Sequence, residues 1–342
     1  MRPLSIASCG LVTNLGLSRK ATFAAYRAQI DNFTETRFMD SHGEWLIGAD
    51  VPLDRPLRGQ AKLLEMSAMA IREAIASCGP VPSADPGAVP VLLCIPSRKR
   101  IGRVIADEQS FFTELQDKLG MTFSEHSRIY PQGRVAVVSA LKDADRLLYN
   151  TECGYVLVVA TDTLLTARTL KAYDEKYLLL TRTTSNGYVP GEGAACARLT
   201  QVSGTDTEMA QVLGLGVARQ ASPKTRDEPL KADGMIAAIR MGLDDSPVTM
   251  PSIRSWFYDN DAGYQPVKEA TIAELRLLRG ENQPLDRHSP VSQFGETGTV
   301  SFLLMLLLFG AASPDGACGL VTASGEDDSR MAAVVQKRMT TR

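Results

Sequence analysis

The sequence predicts a layered α/β fold, and three observations carry that expectation. Apolar strand-like runs alternate with amphipathic helical ones along most of the chain. Two of those runs, 89–95 (VPVLLCI) and 155–160 (YVLVVA), are almost continuously apolar, as in strands covered on both faces. The ten residues 300–309 (VSFLLMLLLF) are far too few for a bilayer span of about 20. They read instead as a helix buried on all sides.

The remaining elements follow the same two periods. Residues 3–13 (PLSIASCGLVT) read as a first strand closed by a glycine turn. Ser18 is placed to cap a helix over 18–29, with Phe23, Ala24 and Tyr26 at helical spacing. A broad apolar face over 60–78 (Leu63, Leu64, Met66, Met69, Ala70, Ile71) predicts a second helix. A helix over 106–119 comes next, then a strand-turn-helix unit over 129–150. Strands are expected at 194–199 and 210–217. A helix over 231–243 should turn Met235, Ile236, Ile239 and Met241 inward. Residues 252–258 lead into a loop, followed by a helix over 267–279, the apolar helix, and strands at 318–322 and 331–337, the last closing the sheet. The polar stretches 201–207 and 219–230 are connections, and the second divides the chain into halves 1–222 and 223–342.

Composition narrows the function. The 342 residues are 44% hydrophobic and 22% charged, which suits a soluble globular protein. Lysine plus arginine is 37 and aspartate plus glutamate 39, a net charge of −2, so nothing global favours nucleic acid or an anionic membrane as partner. Six scattered cysteines (Cys9, Cys78, Cys94, Cys153, Cys196, Cys318) and three scattered histidines offer no metal-ligand spacing. Reduced, buried thiols and the lack of an export-type h-region point to the cytoplasm; neither cofactor nor metal is expected.

The segment Gly187-Tyr-Val-Pro-Gly-Glu-Gly-Ala194 places Glu192 between Gly191 and Gly193 as the chain enters an apolar strand. A carboxylate there should be pinned by backbone N–H groups or a basic partner, and the segment serves first to turn the chain. The cluster Arg98-Lys99-Arg100 with Arg103 reads as a solvated basic face, able to receive an acidic partner.

Four stretches, in order, resemble a β-ketoacyl synthase of the thiolase superfamily. They are the N-terminal SIASCGLVTNLGLSRKATFAAYRAQIDNFTETRFMDSHGEWLIGADVP, then DADRLLYNTECGYVLVVATDTLLT, SNGYVPGEGAACARL and SQFGETGTVSFLLML. The resemblance implies a thiolase-like five-layered α/β/α/β/α fold of two similar halves, assembled as a homodimer or as a heterodimer with a related chain. It also implies where catalytic groups belong, and this chain departs at each place. Counting back without a gap from Asp143-Ala-Asp-Arg-Leu147, the nucleophile position falls on Arg134, and no cysteine lies between Cys94 and Cys153. The first histidine position falls on Asn260 or Asp261, in FYDNDAGYQP, and the second on Glu296. The glycine-rich loop that carries a gatekeeping phenylalanine reads ASGEDDSR, with Glu326, Asp327 and Asp328.

The expectation is therefore a catalytically inactive ketosynthase-like protein acting as an adaptor or accessory subunit. Its candidate partners are a related chain, an acyl carrier protein or a secretion effector. Two non-catalytic kinds are relevant: chain-length factors, whose usual glutamine is two residues away here at Gln132, and shortened relatives linked to bacterial type VI secretion effectors. The alternative is an acyl-thioester transferase or hydrolase with a replaced active site, which requires an open pocket leading to Arg134 and Glu296.

Overall fold

The structure, a computed structural model, describes residues 1–77, 89–202, 209–221, 230–259, 264–278 and 285–338. Cys78, Asn260 and Asp261, and the expected division at 222/223, lie outside the described residues. From the N-terminus the chain forms β1 (Leu4–Val12), α1 (Arg19–Arg27), β2 (Thr34–Met39), β3 (Trp45–Gly48), α2 (Gly59–Ala76), β4 (Val91–Cys94), α3 (Glu108–Leu119), β5 (Arg128–Tyr130), α4 (Ala136–Asn150), β6 (Val156–Thr163), α5 (Ala167–Asp174) and β7 (Glu192–Gln201). It continues through β8 (Ala210–Arg219), α6 (Asp233–Asp244), β9 (Ile253–Tyr258), α7 (Tyr264–Leu277), β10 (Asp286–His288), α8 (Val291–Phe294), α9 (Ser301–Ala312), β11 (Cys318–Ser324) and β12 (Ser329–Lys337).

The strands pair in two matching sets. The first runs β1-β7-β6-β4-β5 and the second β8-β12-β11-β9-β10. Setting the small β2–β3 hairpin aside, each set places its first, fifth, fourth, second and third strand side by side. The sets meet through a short antiparallel pairing of β1 with β8, Leu4 opposite Val212.

Three apolar clusters show how the layers stack. Period-two alternation sends Val91, Leu93, Leu157 and Val159 outward onto α2 and α3, through Leu63, Met66, Phe111 and Leu115. The intervening Leu92, Cys94, Val158 and Ala160 face inward, joining α4 and α9 and the inner residues Val212, Val321 and Ala333 of the second set. On the far side Leu213, Trp256, Leu320 and Val334 pack against Met235 and Ile239 of α6 and Ala273 of α7. The order helix, sheet, helix, sheet, helix is the five-layered architecture. The apolar helix α9 is its middle: Phe302 to Phe309 are each at most 2% exposed. No helix among the described residues is long and apolar enough to cross a membrane.

Three local expectations need correction. Residues 253–258 are a buried strand rather than the approach to a loop. Parallel pairing with β11 and a bond from Trp256 Nε1 to Thr322 Oγ1 (2.8 Å) hold it, although Arg254 interrupts the apolar pattern. Met241 is 48% exposed, because at 100° per residue it lies well around α6 from Met235 and Ile239. β12 does not close an edge; it runs inside the sheet between β11 and β8.

Candidate functional site

Between β5 and α4 the chain turns sharply. Gly133 takes φ +65°, in the left-handed region that glycine adopts without strain, and a single tight turn over Gly133–Val135 leads into α4. Arg134 stands on this elbow, at the helix start. Its Nη1 donates to Asp259 Oδ2 (3.0 Å) and to the Ser324 carbonyl (2.8 Å), and its Nη2 forms an ion pair with Glu296. Each partner comes from the second half of the chain, next to the end of β9, the end of β11 and the loop before α9. Ser324 N–H also donates to Asp259 Oδ2 (2.9 Å), and Gly298 N–H to Glu296 Oε1 (2.7 Å).

A second arginine extends the network. Arg100 Nη1 reaches both oxygens of Asp162, at 2.6 and 2.7 Å, and Nε donates to Glu326 (3.0 Å). Thr299 closes this arm with its N–H (2.8 Å) and hydroxyl (2.7 Å) on Asp162 Oδ2. Arg100 is buried, as are Asp162, Asp259 and Glu296, so it is not part of a solvated basic face. Arg98 and Arg103 do not form an open patch either, since both bind Glu108.

The electrostatics follow from two arginines facing four carboxylates in a mostly dry interior. Burial works against the charge of Arg134, but Glu296 and Asp259 outweigh it and push its pKa up. Arg100 is likewise raised, with Asp162 and Glu326 overcoming burial. Asp259 bears the opposing cost. Burial pushes its carboxyl up to about 6, although Arg134 and the Ser324 N–H pull it down. Among the described residues, buried Asp259 Oδ1 and Arg134 Nε have no hydrogen-bond partner.

The cavity beside Asp259, bounded by Val291, Phe294, Leu304 and Met305, measures about 10 Å³, the space of roughly one water. The elbow thus carries a guanidinium at the helix start, and the side chains that bind it are carboxylates.

The structure brings Arg134 and Glu296 together, while Asn260 lies outside the described residues. Asp259 completes the pair, and reading the sequence did not single it out. Its one sequence signal is its place just after 252–258, a stretch that reads as the approach to a loop and forms a strand. Arg100, Asp162 and Glu326 join through contacts spanning 62 and 226 residues, for which one sequence carries no signal. His288 lies outside the network, stacked on Phe257 at 4.2 Å with Nδ1 3.4 Å from the Tyr26 hydroxyl.

Gly191, Glu192 and Gly193 form a second, separate cluster. Glu192 is 2% exposed; it pairs with Lys62, accepts from Val51 N–H (3.0 Å) and from Thr163 Oγ1 (2.8 Å). Lys62 also reaches Asp50 (2.9 Å). A Cβ on Gly191 would lie 2.8 Å from the Phe294 carbonyl oxygen, and one on Gly193 2.9 Å from that of Val12, so both positions require close backbone approach. Burial raises the Glu192 pKa against the pull of Lys62.

No protein-family model matches the chain, and no curated protein matches it in sequence. Solved structures do resemble it. A chain of the AntDE:AntF assembly, described as a type II polyketide synthase acyl-carrier protein in complex with its ketosynthase bound to the hexaketide, superposes with a TM-score of 0.80 at 16% identity, covering 98% of this chain and 99% of that one. The ishigamide ketosynthase/chain length factor gives 0.76 at 16% identity over 98% and 99%. A β-ketoacyl synthase from Burkholderia phymatum STM815 gives 0.73 at 16% identity over 98% and 100%. The chain has the ketosynthase, thiolase-like fold.

Proposed function

We propose that this chain is a ketosynthase-fold subunit without condensing chemistry, which works through protein contacts as an accessory or adaptor partner. The observation that carries this reading is the ion-paired Arg134 on the elbow. It stands where the resemblance puts the nucleophile, and Glu296 stands where it puts a histidine. Together with Asp259 they form a closed ion-paired cluster at the elbow. A thioester transferase or hydrolase would need an open path to the same side chains, which here are engaged with one another.

The natural partner is a second chain of the same fold, or a related one. β5 pairs with β4 on one side and ends the strand order there; among the described residues no strand pairs with its other edge, which can extend the sheet across a two-fold axis. This reading agrees with the neighbours described as a ketosynthase/chain length factor and as a ketosynthase held by its carrier protein. Analytical ultracentrifugation tests it. The chain is expected to sediment as a dimer, alone or with a related ketosynthase chain. Ile129→Pro, which removes an N–H from β5 and stiffens it, should shift the population to monomer. A wild-type monomer that also ignores related chains and carrier proteins would overturn the proposal.

A further inference from the structure

A cleft of about 360 Å³ opens between β2, the loop 50–58 and the first turn of α2. It shares no lining residue with the Arg134–Asp259–Glu296 network. On its floor buried Lys62 is held by two carboxylates, Glu192 and Asp50, and Glu35 also lines the cleft. The rim is basic. Arg37, Arg55 and Arg58 line it, and among the described residues none of the three takes part in an ion pair. The contrast with the basic segment 98–103 is informative, since there Glu108, Asp162 and Glu326 consume the arginines.

The wall is mixed: Phe38, Val51, Leu53, Leu57 and Leu165 supply an apolar strip, and Thr34, Glu35, Thr36 and Thr163 line the cleft beside it. α2 begins at this point with no side-chain cap and no acidic residue in its first turn, so its helix dipole adds to the positive rim rather than being answered within the chain. The volume lies at the lower end of ligand clefts, roughly 300–1,000 Å³. Free guanidinium forks suit planar carboxylate and tetrahedral phosphate alike.

We propose that this cleft binds a small amphipathic anion: an apolar body of several carbons seated on the leucine-lined wall, with a carboxylate or phosphate head gripped by Arg55 and Arg58. Isothermal titration calorimetry with octyl phosphate, octanoate and inorganic phosphate, each below any micellar concentration, tests it. One of the two amphiphiles should saturate a single site per chain, and inorganic phosphate should bind at least tenfold more weakly. Arg55 and Arg58 are exposed, so Arg55→Ala/Arg58→Ala is expected to keep the wild-type circular dichroism while losing at least tenfold in affinity. Arg98→Ala/Arg168→Ala, at a different cleft, should bind as wild type. The tighter of the two amphiphiles identifies the head group. No saturable binding of either, equal weakening in both double variants, or inorganic phosphate binding as well as octyl phosphate overturns the proposal.

Discussion

Arg134→Ala is expected to cost the fold about 3–5 kcal/mol at pH 8, the range found when one partner of a buried charge pair is removed. The arginine is the cation between Asp259 and Glu296, both nearly inaccessible, and its loss strands two carboxylates in a low-dielectric interior. The size of the effect comes from the charges left behind, which predicts a rescue. Adding Asp259→Asn and Glu296→Gln to an Arg134→Met chain should restore most of the stability, because a neutral, well-filled cluster has no desolvation penalty to offset. Urea unfolding of the single and triple variants measures both. A single-variant loss under 1 kcal/mol, or a triple variant no better than the single, would mean that this cluster does not join the halves as described.

Asp259 gives the second large effect, through pH. Its carboxyl titrates near 6 in the folded protein, pushed up by burial, against an ordinary value near about 3.9 in the unfolded chain. Between those values the folded state holds a proton that the unfolded state has released. Stability from this group is therefore greatest at the acid side and falls as pH rises from about 4 through about 6. Two pKa units correspond to about 3 kcal/mol. In Asp259→Asn the amide oxygen still accepts from Arg134 and Ser324, but nothing there ionises. The variant should match wild type near pH 4 and exceed it above pH 7. Subtracting the two curves removes contributions from distant groups, Glu192 among them. A flat difference, or a variant less stable at pH 8, contradicts the assignment.

How much of this was legible in the sequence depends on whether a feature is local. The apolar run that becomes α9, the continuously apolar runs of β4 and β6, and the Gly-Glu-Gly entry to β7 each carry their signal within about ten residues, and each forms the element expected. β9 escaped because its register is set by parallel pairing with a strand some 60 residues later, while Arg254 breaks the local pattern. The hairpin of β2 and β3 escaped for a related reason. It buries only Leu46 and Gly48 fully, so its period-two signal is faint. At the elbow, the turn around Gly133 and the charged identities of Arg134 and Glu296 were visible, but not what neutralises them. Arg100 shows the limit most clearly: within SRKRIGR it looks like one of several surface cations, yet its side chain is 3% exposed and bound to Asp162. Solvation is a property of the folded neighbourhood, and a single sequence does not contain it.

Under the proposed function, the elbow holds an ion pair where a condensing enzyme would need a nucleophile. Intact-mass spectrometry after incubation with acyl-CoA and acyl-carrier thioesters tests this most directly. The account predicts an unchanged protein mass and no thioester turnover, for wild type and for Glu296→Gln alike. An acyl adduct that maps to the 133–135 elbow, or turnover that Glu296→Gln abolishes while the chain stays folded, would contradict it and identify a working active site.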